Sequence, residues 1–104
     1  MRNNVSSIKT TLPISWGEHE VIALGKKLLE SGAACVQHHQ ITSTYKWKDD
    51  VKSESEWSIE IKVSHQNQRS IIDLLQIIHP YEVPQIICSA ATANDAYSEW
   101  VNSQ

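Results

Sequence analysis

Trp57, Ile59, Ile61 and Val63 alternate strictly with Ser58, Glu60 and Lys62, the period-two pattern of a strand with one buried face. Ahead of them the period changes. Val21, Leu24 and Leu28 fall at helical spacing, with Ile22 and Leu29 widening the stripe, which predicts an amphipathic helix of about four turns. Ser15-Trp16-Gly17-Glu18 has the spacing of a capping box at its start, and Gly32 stands where a left-handed C-terminal cap belongs. A second apolar stripe, Ile71, Leu74, Leu75 and Ile78, predicts another helix, capped by Ser64 and stopped by Pro80.

Around these the remaining elements fall into place. Val5 to Leu12 reads as a first strand ended by Pro13, and Ala33 to Trp47 as a long second strand. Lys48-Asp49-Asp50 suits a hairpin turn to the third strand. Ile86 to Ala90 is a short apolar run of the kind found at a sheet centre, and Asn94-Asp95 caps a terminal helix with Tyr97, Trp100 and Val101 facing inward. The order strand, helix, strand, strand, helix, strand is the split arrangement of an α+β, ferredoxin-like βαββαβ sandwich, here with a short C-terminal helix. Two helices on one sheet face leave the other bare, so association is expected on physical grounds.

Composition narrows the function classes. The 104 residues hold room for one domain, 1–104, with 40% hydrophobic and 20% charged residues. Phe is absent, and four Trp and three Tyr supply the bulk instead. A net charge of -3, with Lys26-Lys27 and the Lys46 to Lys52 stretch interrupted or flanked by acids, argues against a nucleic-acid partner. No segment has the length of a membrane span or of a signal-peptide core, so no membrane partner and a cytoplasmic location are expected. Cys35 and Cys88 are too few for a disulfide framework and are expected to be reduced core residues. No G-x-S-x-G, P-loop or H-E-x-x-H is present, and an enzyme is not expected.

Ala33-Ala34-Cys35-Val36, then Ser43-Thr44-Tyr45-Lys46-Trp47, His79-Pro80-Tyr81-Glu82-Val83-Pro84 and Tyr97-x-x-Trp100 occur in order, with Glu56 and Lys62 at acidic and basic strand positions between them. This series resembles the CutA divalent-cation-tolerance family from about Thr11 to Val101. The resemblance implies a homotrimer of ferredoxin-like protomers, similar in architecture to the PII signalling proteins, with sheets meeting edge to edge. It also implies divalent-cation tolerance, with Cu2+ as the ion bound by bacterial members. Copper-binding members resemble a pattern with a cysteine near the end of the first strand and a His-His pair before Pro-Tyr. Here Thr10 or a neighbour and Ile78-His79 occupy those places, so of that set only His79 carries over.

His79 is therefore the leading metal candidate, weighed against a capping role at a helix C-terminus, where a cation is favoured. His38 and His39 are further candidates as surface or inter-subunit ligands, because adjacent strand residues point to opposite faces and cannot chelate one ion together. Tyr45, Trp47, Glu56, Lys62 and Tyr81 are assigned to an inter-subunit cleft. Two functions compete: a metal-responsive homotrimer, possible copper binding included, and a PII-like trimeric regulatory or scaffold protein that takes a small ligand or partner in its clefts.

Overall fold

A four-stranded antiparallel sheet carries the fold, and the chain order explains its layering. The computed structural model describes residues 2–104. In order the elements are β1 (Arg2–Pro13), α1 (Glu18–Glu30), β2 (Cys35–Trp47), β3 (Asp50–Ser64), α2 (Gln68–Ile78), β4 (Ile87–Ala93) and α3 (Asp95–Asn102). The strands lie in the order β2-β3-β1-β4. The architecture is α+β with the expected ferredoxin-like succession.

Alternation along β3 decides which face is inside. Ile59, Ile61 and Val63 are at most 1% exposed, and their register partners on β1 are Thr10, Ile8 and Ser6. Val21, Leu24 and Leu28 of α1 and Ile71 and Leu75 of α2 join Ile8, Leu12 and these β3 residues in one core. The tryptophan that starts the β3 stripe, Trp57, donates its indole N–H to the Trp16 carbonyl at 3.0 Å, which satisfies its polar atom at the edge of that core.

Helix boundaries follow the backbone more closely than the side-chain signals. The cap of α1 is Gly17, not Ser15, and Glu20 reaches back to accept the Gly17 N–H at 2.9 Å. At the other end, Gly32 has φ 112, and bonds from Ala33 N–H to Leu28 O and from Gly32 N–H to Leu29 O complete a Schellman motif. Ser64 belongs to β3, and Asn67 is the cap of α2. The Ser64 hydroxyl still accepts the Asn67 N–H at 3.1 Å, within the turn before the helix.

Several expectations are corrected. Ile22 and Leu29 are each 45% exposed, because both sit one residue, about 100°, off the Val21–Leu28 line. In α3 the inward face is Ser98 and Val101, while Trp100 is 46% exposed and its ring rests against Tyr97. The apolar run near Ile86 forms not a central but an edge strand: among the described residues β4 pairs only with β1, and Ile87 and Cys88 are exposed. A run of apolar residues signals a need for cover, and the protomer does not supply it here. Cys35 is half-buried rather than sealed in the core.

The sheet face away from α1 and α2 is partly covered by α3. Asn102 donates to the Asn4 carbonyl at 3.4 Å, and Val5 is 1% exposed although it points away from Ile8's side of the sheet. Beyond this cover the β2–β3 hairpin projects. β1 supports β3 only from Glu56 onward, so Asp50 to Ser55 pair with β2 alone. Trp47 pairs with Asp50 across Lys48 and Asp49, whose φ values of 50° and 69° are those of a type I′ hairpin turn.

Candidate functional site

At the base of the projecting hairpin lies a groove of about 760 Å³. Tyr45 and Trp47 of β2, Lys52, Glu54 and Glu56 of β3, the end of β1 and the loop after α2 with Tyr81 and Glu82 form its walls. Period two explains the convergence on the hairpin side. Counting from the turn, Tyr45 lies opposite Lys52 and Ser43 opposite Glu54, which puts Tyr45, Trp47, Glu54 and Glu56 on one face.

Two phenol–carboxylate pairs organise this groove. The Tyr81 hydroxyl donates to Glu56 Oε2 at 2.6 Å, and the Tyr45 hydroxyl donates to Glu54 Oε1. Burial, then the bond and charge of Glu56, push the Tyr81 hydroxyl well above the usual phenol range. The bond to Glu54, ahead of burial, raises Tyr45 in the same direction. Both phenols are held neutral.

His79 fastens the loop that brings Tyr81 there. It caps α2, its N–H donating to Leu75 O at 2.9 Å. The Tyr81 N–H donates to His79 Nδ1 at 3.1 Å, which makes Nδ1 an acceptor and leaves the ring proton on Nε2, facing Thr10 Oγ1 at 2.9 Å. Burial lowers the imidazole's pKa, opposed by the Thr11 backbone and the Glu56 charge. The rings of His79 and Tyr81 are 5.2 Å apart.

Of the residues singled out in the sequence, Tyr45, Trp47, Glu56 and Tyr81 meet in the groove. Lys62 does not: it lies farther along β3, donating to Gln37 Oε1 at 3.0 Å and pairing with Glu60 at 3.3 Å. His38 and His39 point to opposite faces. His38 Nε2 lies 2.9 Å from Glu18, with its ring edge against Trp57, while His39 is opposite Ser58 in register. Glu54 escaped sequence reading, although counting the register outward from the turn places it beside Tyr45.

Copper can be tested against this geometry. Both ring nitrogens of His79 are engaged, and among the described residues no group of three His, Cys, Asp or Glu side chains is placed to hold a metal ion. The side chains of one protomer do not fit a copper centre. Among the described residues, no helix is long and apolar enough to cross a membrane.

Known proteins were compared with the chain as a whole. The family described as CutA1 divalent ion tolerance protein matches residues 10–104. The divalent-cation tolerance protein CutA of Thermotoga maritima is 33% identical over 70 residues, which is 66% of this chain and 69% of that protein. The crystal structure of divalent ion tolerance protein CutA1 from Ehrlichia chaffeensis superposes with a TM-score of 0.85 at 31% identity, covering 99% of this chain and 96% of that one. A PII-like protein CutA from Nostoc sp. superposes with a TM-score of 0.80 at 28% identity, covering 92% of each chain.

Proposed function

The chain belongs to the CutA1 divalent ion tolerance family, and from that premise we propose that it serves divalent-cation tolerance as a homotrimer whose working site is the groove at the base of the hairpin. The observation that carries the reading is the hairpin itself. Residues Asp50 to Ser55 form a two-stranded ribbon with Val51 70% exposed, and an isolated ribbon of that kind is marginal in water. Neighbouring copies packed against the ribbon would support it and would turn the groove into a cleft between subunits. The relatives' names describe tolerance rather than a reaction, which supports a binding role and no catalytic step.

The test has two parts. Light scattering is expected to return three times the 11.8 kDa protomer mass, and a monomer refutes the assembly. A strain lacking the chain is expected to lose tolerance to added divalent salts and regain it with the wild-type gene; unchanged tolerance refutes the function. Direct copper binding is the finer question. A stoichiometric heat of copper binding that disappears in His79→Ala would place the ion at His79, where it has to displace the Thr10 or Tyr81 bond.

A second reading is favoured by the groove's size. A volume of about 760 Å³ lies in the range of small-molecule sites, and the likeness to the PII-like Nostoc protein points the same way. In that reading a regulatory trimer answers to an organic ligand in its clefts.

A further inference from the structure

Polarity and shape of the groove narrow the class of ligand. Each phenol has a single proton, and both are already donated: Tyr45 to Glu54 Oε1, Tyr81 to Glu56 Oε2. Each carboxylate keeps its second oxygen, Glu54 Oε2 and Glu56 Oε1, as an acceptor. Glu82 adds a third carboxylate, and among the described residues of the lining Lys52 is the lone cationic side chain. An anionic ligand would therefore meet net repulsion and few strong donors. A ligand that brings its own N–H donors and positive charge meets what the groove offers.

Aromatic walls separate an organic cation from a metal ion. Trp47, Tyr45 and Tyr81 present ring surface that suits an alkyl chain and an ammonium. The protein already shows that contact internally: the Lys48 ammonium lies 5.7 Å from the centre of the Trp47 ring. Spacing adds a second constraint. Glu54 and Glu56 stand two residues apart on one face of β3, about 7 Å along the strand. Two ammonium groups joined by a short alkyl chain match that interval, and a single metal ion does not.

We propose that the groove binds an aliphatic diamine, with one ammonium on Glu54, the other on Glu56 and the chain laid against the aromatic wall. The inference rests on the groove being the working cleft of the assembled protein. Calorimetry of the full chain with cadaverine tests it, with magnesium chloride and adenosine triphosphate as controls. Saturable cadaverine binding is expected, weakened about tenfold by Glu54→Gln or by Glu56→Gln, as the loss of one charge-assisted hydrogen bond requires. Circular dichroism of both variants verifies that the fold is retained, and the exposed Glu54 serves if Glu56→Gln fails to fold. Absence of saturable heat at millimolar cadaverine overturns the proposal. So does equal affinity in the variants, displacement by magnesium at equal concentration, or preferential binding of the triphosphate. Light scattering on the same samples separates the two readings: a trimer indifferent to cadaverine overturns only the diamine assignment, and a monomer overturns both.

Discussion

Replacing His79 by alanine removes one ring that ties α2, β1 and the Tyr81 loop together. The Nε2 bond to Thr10 is a neutral hydrogen bond contributing about 1 kcal/mol. Thr10 is 1% exposed, so its stranded hydroxyl adds a desolvation cost of about 1–3 kcal/mol. The expected loss is about 2–4 kcal/mol, since water can reach the freed Tyr81 N–H. Urea unfolding followed by tryptophan fluorescence measures it, at fixed protein concentration because any assembly contributes to apparent stability. Burial holds the His79 pKa below its ordinary 6.5, so the unfolded chain binds the proton first on acidification. The His79 contribution to stability is thus complete above about pH 6.5 and declines below it, and His79→Ala removes that part of the acid-side decline. In a cycle with Thr10→Val the two changes couple, because valine leaves no hydroxyl to strand. A loss under about 0.5 kcal/mol, or an unchanged acid-side decline in the variant, refutes the assigned hydrogen bonds.

The hairpin turn and Tyr81 give two further expectations. Lys48 and Asp49 both hold positive φ, a conformation costing non-glycine residues about 1 kcal/mol, so Asp49→Gly is expected to raise thermal stability and Asp49→Val to lower it. Equal melting temperatures in the two variants contradict the turn assignment. Ultraviolet titration is expected to show Tyr81 ionising above the ordinary phenol value of 10.0, and Glu56→Gln is expected to bring it down towards that value. Because the unfolded chain ionises first, this pair's contribution is intact below pH 10 and fades above it. A titration that Glu56→Gln does not shift excludes the Tyr81–Glu56 bond.

Local signals alone determined the element order. Alternation from Trp57 to Val63, helical spacing from Val21 to Leu28, Gly32 past a helix end and polar residues at the hairpin each concern neighbours in sequence. Such patterns survive translation because a strand repeats every two residues and a helix every 3.6. The motifs that carried the family resemblance were legible in the same way, and Tyr45, Trp47, Glu56 and Tyr81, singled out beside them, line the groove. Tertiary structure decided the rest. Whether Ile86 to Ala90 lay at a centre or an edge depended on which strand β1 chose as its second neighbour, and no local pattern states that. Trp100 and Ile22 looked inward by period, yet what stands opposite a helix face is set by distant elements. The pairing of Tyr81 with Glu56 spans 25 residues of chain and exists only because His79, anchored on Thr10, turns the loop back over the hairpin. Periodicity is a property of neighbours, whereas a site is made by the distances between elements that only packing can set.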